Sequence, residues 1–456
     1  MDASIWWTEF VEIARELLTD DSVTVVAVGV SGMGPCTLIT DAEGVPLRPA
    51  ILYGIDTRAT EQIAALTLTL GGDAAIMART GSALSTQAVG PKLAWLAEHE
   101  PLAFGRAERI FMPSSWLLWN LTGEYLLDHH SASQCTPMYD AGSETWFEPW
   151  ARPLACTIDL PALCWPGDVG GRISAAAAAE TGLPVGIPVI AGTIDAWSES
   201  VSVGAQRPGD LMLMYGTTMF LINTVPSPLS ATGLWGTVGA FPGTHNLAAG
   251  MATSGAITGW LRDLLSAGDF TELLALAEES GVGAGGLLML PYFAGERTPI
   301  QDPSARGLIA GLTLSHTAGD LYRAALEATA FGVRHNIEAM TAAGGVIERI
   351  VAVGGGTTGP LWTQIVSDVT GLPQVIPTIT VGASFGAAFL AASALSETDI
   401  DQWNPPADIR HPQWARTAEY DELYALYLEL YPATRSVSHA LAARQGRRRT
   451  TLPTHQ

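Results

Sequence analysis

Positive charge is scarce in this sequence: 23 lysines and arginines stand against 45 aspartates and glutamates, for a net charge of −22. Lys92 is the only lysine, which reads as a compositional bias toward arginine. With a pI near 4.7, the average surface repels a nucleic-acid backbone and an anionic membrane alike. An anionic ligand would have to be held locally, by helix N-termini, backbone amides and Mg²⁺. Cysteine is sparse too. The four, at 36, 135, 156 and 164, form no C-x-x-C pair and no cluster with histidine, which argues against a zinc knuckle and a disulfide framework and fits a reducing cytoplasm. No run of ~18 uncharged apolar residues occurs, and Met1–Trp7 lacks the basic and apolar regions of a signal peptide, so a cytoplasmic location is expected. The P-loop, H-E-x-x-H and H-R-D signatures are missing, so any phosphate is handled by another device. No fixed-period repeat is present.

What is there is α/β in texture. A chain of 456 residues with 48% hydrophobic content can bury two cores. Helical spacing marks 5–19, Thr57–Leu70, Lys92–Glu98, Ser114–Leu121 and Ala175–Thr181; Val23–Val30 reads as a buried strand and Thr37–Ile39 as another. A second strand-rich pattern starts near Pro208, with Leu211–Tyr215 running into Gly216-Thr217-Thr218 and Phe220–Thr224 returning. Helices are expected over Ile257–Ser266, Ala318–Ala342, Pro360–Thr370 and Gly386–Ala394, with a strand over Arg349–Val353. A domain boundary falls near 204/205, giving domains 1–204 and 205–435. The polar end, 436–456, with its Arg447–Arg449 run, reads as a disordered tail.

Three features carry chemistry. Gly216-Thr217-Thr218 and Gly354-Gly355-Gly356 each follow an apolar strand, where backbone amides can cup a phosphate and glycine lets a nucleotide approach closely; taken singly, each is equally well a tight turn. Asp195 lies where the apolar run Val189–Ala191 meets a glycine turn, a setting that raises a carboxylate's proton affinity and suits a base, although helix capping is the commoner role. Gly382-Ala383-Ser384-Phe385-Gly386 matches the G-x-S-x-G nucleophile elbow, with His411 or His439 downstream, which keeps a serine hydrolase using Ser384 as an outside alternative. Close helix packing by small residues explains that motif better.

Longer segments now point one way. Gly307–Leu312, seven residues, then Asp320–Glu327, preceded by Leu290–Pro299, resemble the second signature of the FGGY carbohydrate kinases and the segment leading into it. Lys92–His99 resembles the core of the first signature, with Val89 where a Pro, Ser or Thr is usual. The resemblance runs from Trp6 to Tyr431. It implies an α/β fold of two actin-like ATPase (ribonuclease H-like) domains with an interdomain cleft, and phosphorylation of a sugar or polyol hydroxyl by ATP with Mg²⁺, a pentulose such as xylulose first among substrates. Asp195 would then be the catalytic base and a candidate Mg²⁺ contact. Gly216, Thr217, Thr218, Gly255, Gly259, Gly354, Gly355, Gly356 and Gly359 would bind ATP. Ser31, Gly32 and Met33, with Asp56, Arg58 and Trp116, would bind the sugar, for which carboxylates and planar donors are chemically apt. Capping by Asp56 and core packing by Trp116 are the competing readings. A homodimer is compatible with the resemblance.

The family opens with a strand, an Asp-x-Gly-Thr turn and a second strand; Met1 falls just before what resembles its first helix, so the first domain is expected to be truncated at its N-terminus. A misplaced start and a shortened homologue with impaired catalysis, left as a sugar- or nucleotide-binding protein, are the two explanations. Either way the chain as written is expected to show exposed strand edges and apolar faces, and to fold poorly or transfer phosphate very slowly.

Overall fold

Apolar residues recurring every third or fourth position make Ser4–Leu17 a helix, and its inward face carries Trp6 and Ala14. Trp6 meets Trp116 edge-on at 6.0 Å in a core that also holds Val30, Phe111, Leu118, Leu121 and Val189. The computed structural model describes residues 1–451 apart from 21, 55 and 381, and of 446–451 the backbone alone.

Residue contacts divide the chain into two units. The first comprises Met1–Pro208, Thr224–Leu247 and Val381–Pro405; the second comprises Gly209–Asn223, Ala248–Thr380 and Pro406–Gln456. The sequence suggested one crossing at 204/205, but the chain crosses repeatedly. The physical reason lies in two helices far apart in sequence: Asp195–Ser202 and Ala383–Ser393 pack so closely that a Cβ on Gly386 would stand 1.8 Å from the Ser198 carbonyl oxygen. That contact draws 383–393 into the first unit.

In the first unit, short strands set the framework. Ser31–Gly32 pairs in parallel with Thr193–Ile194, Leu38–Thr40 antiparallel with Arg109–Phe111, and Val169–Arg172 antiparallel with Pro188–Ile190. The buried strand expected over Val23–Val30 is not found. Only Val28 makes a bridge, to Val189, and Val23 and Val26 are 52% and 59% exposed. Apolar composition alone suggested burial, whereas a strand forms only where a neighbour satisfies its backbone, and one bridge does not suffice.

The sheet of the second unit includes, as successive neighbours, His245–Met251, Met219–Val225, Asp210–Tyr215, Arg349–Val353, Gln374–Pro377 and Pro406–Arg410. The third, fourth and fifth are mutually parallel. Helix Ala318–Ala342, with a Thr317 and Asp320 capping box, packs against Phe270–Ser280 and Pro360–Thr370. The tail is a second correction. Helix Trp414–Thr451 runs through most of 436–456, because Ser438 and Ala442 are buried and His439 Nε2 lies 2.6 Å from Asp302 Oδ2. Residues 452–456 lie outside the described residues. No helix among the described residues is long and apolar enough to cross a membrane.

Candidate active site

In the first unit, strand Thr193–Ile194 ends and helix Asp195–Ser202 begins, so Asp195 is the first helical residue. The side chains on either side of it are engaged. Asp128 Oδ1 accepts the Thr193 hydroxyl at 2.8 Å, and the buried His130 ring stacks 3.8 Å from Trp197, whose indole N–H donates to Asn246 Oδ1. Gly192, at φ +67, leaves no room for a side chain, since a Cβ would stand 1.9 Å from the Val30 carbonyl oxygen. Asp195 itself opens to solvent and accepts the Ala196 N–H at 2.8 Å. Enclosing protein desolvates its carboxyl and pushes the pKa up, against the lowering effect of that hydrogen bond. It pairs with no arginine or lysine among the described residues.

Sequence reading missed Glu199. It sits one helical turn beyond Asp195, and burial, together with the Asp195 charge, pushes it up to about 7. The i, i+4 spacing of two acids on one short helix was the available signal.

The sugar candidates divide into two places in the same unit. Ser31 and Gly32 lie beside the start of the Asp195 helix by strand pairing, with Ser31 Oγ donating to the Thr193 carbonyl at 3.1 Å. Met33 is half-buried in the same segment. Asp56 and Arg58 form a two-pronged ion pair, 2.8 Å at its shortest, that holds the Asp56 carboxyl below the ordinary range. They line a cleft of about 520 Å³ with Leu52, Thr57 and Trp95, and the guanidinium stacks 4.7 Å from the Trp95 ring. Trp116 is elsewhere. It is 5% exposed, its indole N–H donates to the Gly44 carbonyl at 3.2 Å, and it belongs to the core. Trp95, which sequence reading passed over, is the tryptophan of the cleft.

In the second unit the glycine turns converge at the C-terminal end of two parallel strands. Gly216–Thr218 links Tyr215 to Met219 across a hairpin, and Gly354 follows the neighbouring strand with a φ of +94 and space for no Cβ beside the Tyr215 carbonyl. Gly355 faces open space, Gly356 packs on Tyr215 and Trp362, and Gly359 caps helix Pro360–Thr370. Gly255 is zipped to the first turn: its N–H donates to the Gly216 carbonyl at 3.0 Å, and Ala256 N–H to Thr217 at 3.1 Å. Those two amides of helix Gly255–Leu264 are therefore spent on the turn. Gly259, one turn later, faces open space.

Ser384 does not sit in a nucleophile elbow. It is an exposed residue in the first turn of helix Ala383–Ser393, where Gly386 serves the packing on Ser198. His439 belongs to the other unit, with its ring nitrogen on Asp302. No group of three or more metal-ligating side chains occurs among the described residues.

Comparisons with known proteins point to one family. The N-terminal domain of the FGGY family of carbohydrate kinases matches residues 1–202, and its C-terminal domain matches 211–395. A glycerol kinase of Nocardia farcinica is 32% identical over 436 residues, covering 90% of this chain and 84% of that protein. A xylulose kinase of Escherichia coli is 28% identical over 443 residues, covering 94% and 90%. Among solved structures, a xylulose kinase from Rhodospirillum rubrum superposes with a TM-score of 0.89 at 32% identity, covering 96% of this chain and 91% of that one.

Proposed function

Since the chain belongs to the FGGY family of carbohydrate kinases and has their actin-like ATPase fold, we propose that it phosphorylates a ketopentose such as xylulose, with Asp195 as the base. The observation that carries this reading is Asp195 itself: a partly desolvated carboxylate with no arginine or lysine partner among the described residues, at the start of a helix flanked by the Thr193–Asp128 hydrogen bond and the His130–Trp197 stack. Such a group keeps its lone pairs for a ligand.

In the reaction, Asp195 orients the sugar hydroxyl and takes its proton as the oxygen bonds to the γ-phosphorus of ATP. The bond to the β-phosphate oxygen breaks, and ADP leaves. The transition state is loose, so positioning matters more than basicity. The amides of the Gly216–Thr218 and Gly354–Gly356 turns would cradle phosphates, which suits a chain too acidic for a lysine-lined site. Mg²⁺ needs only one or two carboxylates besides phosphate and water. Asp195 and Glu199 fit that demand, and the ion would neutralise charge on the transferring group. Asp56, Arg58 and Trp95 offer a charged pair and an aromatic face to a polyhydroxy chain, and a cleft of about 520 Å³ has room for a small sugar or polyol. Xylulose kinases among the relatives support the pentulose; the glycerol kinase match makes glycerol the comparison substrate.

The test is ADP release with D-xylulose, other pentuloses, hexonates and glycerol. Turnover is expected with xylulose, and Asp195→Asn should lower kcat by about 10³-fold while sugar affinity stays within about twofold. A variant that keeps its turnover removes Asp195 from the chemistry; ADP release with glycerol alone replaces the pentulose.

A further inference from the structure

The single lysine lies where a lysine is costly. Lys92 is 1% exposed on the inner side of helix Val89–His99. Its ammonium donates to the carbonyls of Pro35 at 3.4 Å and Gln87 at 3.3 Å. The titratable groups facing it are the thiols of Cys36 and Cys135, the Asp56 carboxylate and the Arg58 guanidinium, and Asp56 is already committed to Arg58. Burial pushes the ammonium down to about 8. Two long bonds to carbonyls do not offset the removal of a full charge from water, and an apolar side chain of equal length would fill the slot without that penalty. Stability therefore does not explain this cation.

Its partners do. Pro35 ends the segment whose Ser31 and Gly32 pair with Thr193 and Ile194, directly before Asp195. Gln87 holds Gly54 by accepting its N–H on Oε1 at 3.1 Å, and the Tyr53 N–H points to the sulfur of Cys36. Trp95, three residues along the same helix, carries Arg58 on its face. One ammonium thus lies between the two segments nominated for the sugar.

We propose that Lys92 is a positioning residue for the sugar site, a buried cation that clamps the Ser31–Cys36 segment to Tyr53–Gly54. It rests on the reading that these segments bind the sugar. Removing the charge should loosen both without unfolding the unit.

The experiment compares the full chain with Lys92→Met, a side chain of similar length. Expected are an equal or higher Tm, a Kd for D-xylulose weakened about tenfold by calorimetry, and a Kd for a non-hydrolysable ATP analogue within twofold. Amide exchange over 31–36 and at Tyr53 and Gly54 should accelerate, with helix Pro360–Thr370 as the unchanged control. Unaltered exchange in those amides overturns the clamp whatever the sugar does. A lowered Tm with exchange accelerated throughout also overturns it, since Lys92 would then be an ordinary structural residue. Failure of the unsubstituted chain to bind xylulose sinks the substrate reading instead, and the exchange comparison still decides the clamp.

Discussion

Asp128 shows how a single buried residue writes itself into stability. It is fully enclosed, it accepts the Thr193 hydroxyl and the Ser131 N–H, and desolvation still pushes its carboxyl up to about 6. A folded-state pKa above the unfolded one favours the protonated form in the native chain, so this contribution is fully present below about pH 4 and is lost as pH rises through about 6. Asp128→Asn removes the titration. Urea unfolding at pH 4 and pH 7 should show wild type losing up to about 3 kcal/mol relative to the variant across that interval; a constant difference would mean the carboxyl is not desolvated. At this scale sequence reading was uneven. The strand-to-helix setting of Asp195 was legible, because an apolar run meets a glycine turn there, while its proposed role came from the family resemblance. Trp116 and Trp95 were not separable, because both sit in helices with apolar neighbours and only packing reveals that Trp116 spends its N–H on Gly44 while Trp95 faces Arg58.

Between elements, the decisive contact is helix Asp195–Ser202 against Ala383–Ser393. Ser198 Oγ donates to the Ala383 carbonyl at 2.8 Å, and Gly386 lets the backbones touch. Gly386→Ala drives a methyl into a carbonyl oxygen that cannot rotate away, so the helices must separate. A loss of about 1–3 kcal/mol is expected, with a fall in kcat larger than that from Ala388→Ser on the exposed side of the same helix. Thermal unfolding and steady-state kinetics of the two variants check this, and equal kcat values would show that the contact does not position Asp195. Most elements were legible from periodicity: Ala175–Thr181, Ala318–Ala342, Arg349–Val353 and Pro360–Thr370 form over the expected residues. Val23–Val30 was not, since strand formation depends on partners that composition cannot supply.

For the whole molecule, a net charge of −22 surrounds a reaction whose nucleotide substrate is itself anionic. Repulsion of that kind is felt over the Debye length, about 30 Å at 0.01 M salt and about 8 Å at 0.15 M. The kcat/KM for MgATP should therefore rise severalfold across that range, with the KM of a neutral sugar unmoved; a falling kcat/KM would reveal a local positive field that outweighs the global one. The amino-acid order by itself determined the α/β class, the family, the glycine turns and the carboxylate at 195, because each is encoded among neighbours along the chain. Tertiary structure alone decided which tryptophan lines the cleft, why the lone lysine is buried and where the chain crosses between units. Those outcomes depend on burial and on contacts between residues as far apart as Ser198 and Gly386, and no local pattern records them.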